Sequence, residues 1–596
     1  MNSPCHVSVA TSVAALVVAL AAAVASPLAA DTFRVTLPAD AEATTAASGR
    51  LLLFFVDATS RRLQNEQPSD APFFEEPQPV ASIAVENVKP GATFEISKDA
   101  VVWPVPLEEF DGQFRIQAVL RIDPHAAAHL APGNRRSVVH EVTLSRAADE
   151  SIELTLTETI SARAFVNPDP QFGERLVWVN FRSERLSRHF GRDVSLRAGV
   201  ALPPDYGSTA RGDRRWPALY IVPGFGGRHD GARSYARMLR TRNVMEITPN
   251  VVYIVLDPEG PFGHHGFADS AINGPVGEAF VRELIPHLEM TFGLVSAPEA
   301  RLVTGHSSGG WSALWLALNY PGTFGACWAS APDPIDFSAF QMTDLYTEEN
   351  LFHDANGVET GSYRVGIAPG LNKVRMTTRE EIGVEHAMAP LGDTGQQWGA
   401  WMAIFSSKDP QTNRARWMAD PRTGAIDRLV IDRDWSRYDL ARLVLSKWES
   451  LKPVLPRLRI AVGTQDSYAL NRAVARFQER ITGQVAKDAV AAAPHAQMAP
   501  TSGPTTAPPS GQPPTAPSTA PADATNPSEP APPTDPANAS QPAEPIELGT
   551  TPGEAPLAGG PGYIWFVRFA THDTVVPLTT LRWNSEMMEH LKAHGL

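Results

Sequence analysis

The stretch Arg301-Leu-Val-Thr-Gly-His-Ser-Ser-Gly-Gly-Trp-Ser-Ala-Leu-Trp-Leu-Ala-Leu-Asn-Tyr320 decides the fold. Its first four residues read as a buried strand, and the run from about Gly309 to Tyr320 reads as a helix stopped by Pro321-Gly322. Between them, Gly305-His306-Ser307-Ser308-Gly309 fits G-x-S-x-G at the point where a strand must hand over to a helix. So sharp a turn strains the serine backbone and demands small residues two places to either side, and Gly305 and Gly309 meet that demand. The helix that starts here directs free N–H groups toward the serine. Ser307 is therefore the candidate nucleophile. Taking Ser308 instead would put His306 where a glycine is needed.

Outward from this turn the same alternation recurs. Pro217–Val222 and Asn250–Leu256 are continuous apolar runs, as expected of strands covered on both faces. Pro275–Phe292 has a helical pattern, and Phe324–Ser330, Leu458–Val462 and Tyr563–Phe569 give further strands. Two extended segments, Glu174–Ser183 and Arg192–Leu202, lead in. The implied class is α/β with a mostly parallel central sheet, occupying about residues 170–596. Residues 31–165 differ: short alternating strands such as Gly49–Val56, Phe114–Ile122 and Ser151–Thr157, separated by turns, predict a β-sandwich accessory domain. From 485 to 561 the chain is mostly Ala, Pro, Thr, Ser and Gln, which cannot bury enough apolar surface to order itself, so a disordered insertion in the α/β domain is expected.

Bulk properties narrow the function. The 596 residues carry a formal charge of −14, with no basic patch that would hold nucleic acid. The apolar run Val13–Ala25, followed by small residues, reads as a signal peptide within residues 1–30, with cleavage after Ala25 or Ala30, although its first twelve residues lack Lys and Arg. A secreted or periplasmic protein with no stable membrane insertion is expected. Of two cysteines, Cys5 would leave with the signal, and Cys327 reads as a small buried hydrophobe.

A serine nucleophile needs a histidine to take its proton and an acid to orient that histidine, in chain order Ser, acid, His. His572 directly follows the last strand, where a loop reaches the site. His353, His386, His495, His590 and His594 lack that placement. Asp466 likewise follows the strand ending at Val462, ahead of the competitors Asp409, Asp432, Asp434 and Asp573. An oxyanion hole needs two N–H donors: that of Ser308, and one from Phe225 or Gly226 in Pro223-Gly-Phe-Gly-Gly227. The segment Asp257–Asp269, with His264 and His265, holds metal-ligand residue types at a spacing that fits no zinc pattern, and reads as an active-site loop. Trp311 and Trp315 read as core, while Asp333 and Asp336 line the cleft or cap a turn. No metal and no cofactor is called for.

The run Pro217–Gly227, the segment Gly274–Pro286, the elbow Gly305–Ser312, and the late Asp466 and His572 together resemble the putative-esterase branch of the α/β-hydrolase superfamily. That branch includes esterase D, feruloyl and acetyl xylan esterases, enterochelin esterases and mycolyltransferases. The resemblance covers about Val177–Leu596 outside the Pro-rich insertion. It implies an α/β-hydrolase fold, Ser307, Asp466 and His572 as a triad, the N–H groups of Phe225 and Ser308 as oxyanion donors, and a small-molecule or carbohydrate-linked ester as substrate. Pro223-Gly224 stands where many members have His-Gly, and Ser338–Leu451 has no counterpart, so substrate preference does not transfer. The rival functions are a serine peptidase or acyltransferase on the same fold, and a non-catalytic glycan-binding protein on a hydrolase scaffold.

Overall fold

A computed structural model describes residues 32–41, 46–123, 125–146, 151–208, 215–241, 243–492, 554–556 and 562–596. Its centre is a nine-stranded sheet. In spatial order the strands are Leu176–Arg182, Ser195–Ala201, Val252–Leu256, Ala218–Val222, Arg301–His306, Ala326–Ser330, Leu458–Gly463, Tyr563–Val567 and Glu554–Pro556. The run from Val252–Leu256 to Tyr563–Val567 is parallel throughout. The first two strands and the last pair antiparallel. The continuous apolar runs predicted as strands are these buried parallel ones: every residue of Ala218–Val222, Val252–Leu256 and Ala326–Ser330 is buried. Helices Val276–Ala279, Ile285–Phe292, Ser308–Asn319, Leu470–Ala492 and Val575–Ala593 flank the sheet, and a π-helical turn over Phe280–Leu284 joins the first two.

Ahead of this sheet, a three-stranded sheet (Thr93–Ile96, Thr32–Thr36, Ser151–Thr155) and a seven-stranded one built around Ala46–Asp57 and Gly112–Arg121 share an apolar core. Side chains alternate along a strand, so Leu51, Leu53 and Phe55 enter that core while Leu52 and Phe54 point the other way. The outward pair is buried too. It meets Met376, Val384, Ala387 and Met388 of the α/β region, which is why Leu51–Val56 is apolar without interruption. Polar contacts close the seam: Ser82 Oγ donates to Ala387 O at 2.5 Å, and Arg121 Nη2 lies 3.0 Å from Asp393 Oδ2. Trp103 sits so close to the helix Thr378–Met388 that a Cβ at Gly383 would stand 2.4 Å from its ring.

Two expectations need correction. The helix that begins at Leu470 continues to Ala492, past the predicted onset of the insertion at 485. Glu554–Pro556, inside the predicted insertion, pairs with Tyr563–Val567 as the sheet's edge. Backbone hydrogen bonding decides both, within the helix in the first case and to the neighbouring strand in the second, and composition does not report it. Residues 493–553 of the insertion and 1–31, which contain the signal pattern, lie outside the described residues. The segment between Ser338 and Leu451, for which the sequence offered no strand signal, holds a hairpin, Gly361–Ala368 with Leu371–Thr377, and helices Thr378–Met388, Gln397–Phe405, Arg428–Arg433 and Leu440–Ser446. A capping box between Thr377 and Glu380 starts the first of these helices.

Candidate active site

Ser307 stands between the strand Arg301–His306 and the helix Ser308–Asn319 with φ 58° and ψ −129°, a conformation that costs a non-glycine residue roughly 1–3 kcal/mol. Its neighbours explain why the chain tolerates no larger residue there. A Cβ on Gly305 would lie 2.0 Å from the carbonyl oxygen of Gly309, and one on Gly309 would lie 2.0 Å from that of Val222. The strained turn is held by the bond from Ser307 N–H to Ser330 O at 3.0 Å and by Asp333 N–H donating to Ser307 O at 3.2 Å.

Asp466 and His572 reach the same place from the next two strand ends. Asp466 Oδ1 accepts from the N–H groups of Tyr468 and Leu470 at the start of the helix Leu470–Ala492. The other oxygen, Oδ2, is left to His572 Nδ1 at 2.9 Å. An ionised carboxylate only accepts, so Nδ1 carries the proton and Nε2 remains basic. Burial lowers the His572 pKa, but the Asp466 charge and hydrogen bond, with the charges of Asp573 and Asp333, outweigh it and the net shift is upward. Burial acts the opposite way on Asp466, and the imidazole again wins, leaving the carboxyl below its ordinary value. The His306 ring lies 4.5 Å from that of His572; burial and that neighbour push it down to about 3, so it stays neutral. Ser307 Oγ, His572 and the loop Gly224–Gly227 line one cavity of about 300 Å³. Among the described residues Ser307 Oγ has no hydrogen-bond partner.

The loop after Ala218–Val222 comes close enough to the elbow that a Cβ on Gly224 would stand 3.2 Å from Ser307 Cβ. Gly226, at φ 75°, turns it back, and Gly227 N–H bonds to Gly224 O at 2.9 Å. Ser308, the first residue of its helix, has no intrahelical acceptor for its N–H. Its hydroxyl donates to Asp333 Oδ2 at 2.6 Å, and the Trp401 indole donates to the same oxygen at 2.8 Å.

The Asp257–Asp269 segment, read from sequence as an active-site loop, supports this loop from below. Asp257 is buried, accepts from Arg228 Nε and Nη2 at 3.0 and 3.1 Å, and has His229 Nδ1 at 2.8 Å and Arg197 Nε at 3.0 Å beside it as charge partners. Burial alone would raise its pKa, and these partners together hold it well below the carboxylate range. The His264 ring lies 3.0 Å from Pro223 O through Nε2, and its Nδ1 accepts from Gly266 N–H. Nothing in the sequence revealed the Arg197 and His229 partners, which come from distant strands and loops.

The competing residues fall elsewhere. Asp409 caps a turn by accepting from Gln411 and Thr412, Asp434 accepts from Ser407, and His590 contacts Glu299 O. His353 lies beside Asp354 O, and His386 is half-buried next to Trp417. His495 lies outside the described residues. Asp573 lines the cavity with its charge open to solvent. Of the acidic pair after Ala326–Ser330, Asp333 lines the cavity, whereas Asp336 accepts from Ser338 and pairs with Arg480. Trp311 and Trp315 stack at 5.3 Å in the core. Atoms of metal-ligand type from His306, His572 and Asp573 gather within 4.8 Å. Nδ1 of each imidazole is already engaged, with Ser330 Oγ and Asp466. No helix among the described residues is long and apolar enough to cross a membrane.

Comparison with known proteins adds a family. Among curated proteins, Esterase Rv1288 and Esterase MT1326, from two strains of Mycobacterium tuberculosis, are each 28% identical over 169 residues, which is 27% of this chain. The matched part spans 35% of their length, about a third. Among solved structures, a ferulic acid esterase aligns at 13% identity and TM-score 0.30, covering 52% of this chain and 85% of its own. An S-formylglutathione hydrolase from Agrobacterium tumefaciens aligns at 16% and 0.28, covering 52% and 82%. The family model described as Putative esterase matches residues 187–496, ending ahead of the strand that delivers His572. That match takes in more than half of the chain, which belongs to the Putative esterase family.

Proposed function

We propose that this protein is an exported serine esterase that cleaves a carboxylic ester through an acyl-enzyme. In this reading Ser307 Oγ attacks the ester carbonyl as its proton passes to His572 Nε2, and Asp466 holds the imidazolium through Nδ1. The N–H groups of Phe225 and Ser308 receive the developing oxyanion. Collapse expels the alcohol, which takes the proton from His572. Water, deprotonated by the same nitrogen, then releases the acid and restores Ser307. The hydroxyl turns onto Nε2 as substrate enters, since catalytic hydrogen bonds commonly tighten only in the bound complex.

The observation that carries this reading is the 2.9 Å contact of His572 Nδ1 with Asp466 Oδ2 beside a serine held at positive φ in the same cavity. The domain reading that accompanies it makes residues 31–165 a β-sandwich, supported by two sheets with a shared core, and 170–596 the catalytic domain. Export rests on the signal pattern within residues 1–30.

The test is turnover of p-nitrophenyl acetate by wild type and by Ser307→Ala. We expect a loss of at least ~10³-fold in kcat with the fold retained. Equal rates in the two proteins would overturn the assignment of Ser307. Cleavage of peptide anilides with inert esters would favour a peptidase. Preferential transfer to an added alcohol would favour an acyltransferase. An absence of fluorophosphonate labelling, under conditions that label a control hydrolase, would favour a binding protein.

A further inference from the structure

The cavity at Ser307 is not walled by the α/β region alone. Phe74 lines it, and Phe74 belongs to the N-terminal region, in the segment between the short helix Pro68–Asp70 and the strand Val80–Val88. Its ring lies 6.0 Å from Tyr363 and 6.4 Å from Tyr468, whose rings are 5.3 Å apart, and Tyr468 meets the His572 imidazole edge to face at 4.9 Å. A chain of aromatic contacts thus runs from the N-terminal sheets to the catalytic histidine proposed above.

The same wall holds an unusual acid. Glu381, on the helix that the N-terminal sheet covers, is 3% exposed and lines the cavity. One turn on, Glu385 is equally buried, but its oxygens accept from Thr394 Oγ1 and from the N–H groups of Trp398 and Gly399, all at 2.8 Å. Glu381 has no such set. The Ser362 hydroxyl and the Trp398 indole face it closely enough to hold its raised pKa down, yet among the described residues neither of those donors nor Glu381 Oε2 completes a well-formed hydrogen bond. A buried carboxyl oxygen left in that condition costs stability, and a hydroxyl in the cavity would relieve it once the carboxyl rotates to present that oxygen.

We propose that Phe74 and Glu381 form a specificity subsite that receives a hydroxyl-bearing part of the ester, with the N-terminal region taking part in substrate choice. A hydroxyl suits this site because it both donates and accepts, whichever protonation state the carboxyl adopts. The apolar remainder of the same group lies against Phe74. This subsite rests on the esterase reading.

The test compares kcat/KM of the full chain for two matched pairs, p-nitrophenyl 6-hydroxyhexanoate against hexanoate, and 6-hydroxyhexyl acetate against hexyl acetate. The first pair asks whether the acyl group carries the hydroxyl, and the second whether the alcohol does. We expect wild type to favour the hydroxylated member of one pair at least ~10-fold. Glu381→Leu abolishes that preference and Glu381→Gln restores part of it. Phe74→Ala lowers kcat/KM for both six-carbon members of the pair relative to p-nitrophenyl acetate, at least ~5-fold, and Phe74→Leu recovers part. A merely structural role would lower the melting temperature and scale all esters alike. Preference unchanged in Glu381→Leu, or ratios unchanged in Phe74→Ala, overturns the subsite while leaving the esterase reading intact. If wild type is inert on every ester, the esterase reading fails instead. The subsite is then read by calorimetric binding of 6-hydroxyhexanoate against hexanoate to Ser307→Ala, where equal affinities overturn it.

Discussion

At the scale of single residues, the His572–Asp466 pair sets the pH behaviour. The proposed mechanism needs the imidazole neutral, and its pKa is raised above the usual value near 6.5. The acid limb of kcat/KM for p-nitrophenyl acetate is therefore expected above pH 6.5, with activity falling as pH drops through it. Asp466→Asn removes the charge that raises this pKa, so the limb moves to lower pH and kcat falls about 10³–10⁴-fold. A limb that stays in place would show that Asp466 does not face the titrating base. For stability the signs are opposite. The contribution of His572 is fully present below its unfolded pKa and is lost as pH rises through the raised folded value. That of Asp466 is present above its unfolded pKa near 3.9 and is lost as pH falls through the depressed folded one. That Ser307, Asp466 and His572 would come together was legible in the sequence because strand ends announce themselves by apolar runs. The Arg228–Asp257 and His229–Asp257 contacts were not, since they depend on which strands become neighbours.

At the scale of elements, the elbow holds the two most crowded glycines among the described residues. Gly305→Ala and Gly309→Ala each drive a methyl group to 2.0 Å of a backbone oxygen, and neither strand nor helix can retreat without breaking the sheet. We expect a loss of about 3 kcal/mol or more for either, read from urea unfolding. Gly322→Ala, whose Cβ would meet nothing within 4 Å but whose φ is +88°, is expected to cost about 1 kcal/mol. Equal effects at the three sites would mean that crowding does not govern the elbow glycines. The parallel strands were legible from uninterrupted Val, Ile and Leu. The hairpin Gly361–Ala368 with Leu371–Thr377 was not, because much of it faces solvent and its polar residues, such as Arg364, Asn372 and Lys373, dilute the alternation.

At the scale of the whole molecule, the seam between the N-terminal sheets and the helix Thr378–Met388 joins two regions that composition alone presents as separate. Its one sequence trace is the unbroken apolar run Leu51–Val56, which a sheet covered on one face would not need. Gly383→Leu pushes against Trp103 and is expected to open the seam. Calorimetry should then show two unfolding transitions where wild type shows one, and the ester preferences assigned to Phe74 should weaken with it. A single transition at the wild-type temperature would mean that the seam contributes little.

The acid and the imidazole of the proposed triad are separated by 106 positions, and most of that interval is the Pro- and Ala-rich stretch between Ala492 and Glu554. The proposed base therefore arrives on a later segment that slots its own strand, Tyr563–Val567, beside Leu458–Gly463 and covers it with the helix Val575–Ala593. In the proposed mechanism no turnover begins until Tyr563–Val567 has paired with Leu458–Gly463. A protease that nicks the polypeptide between those two points should leave a non-covalent two-fragment enzyme, which co-elutes on gel filtration and retains its esterase rate.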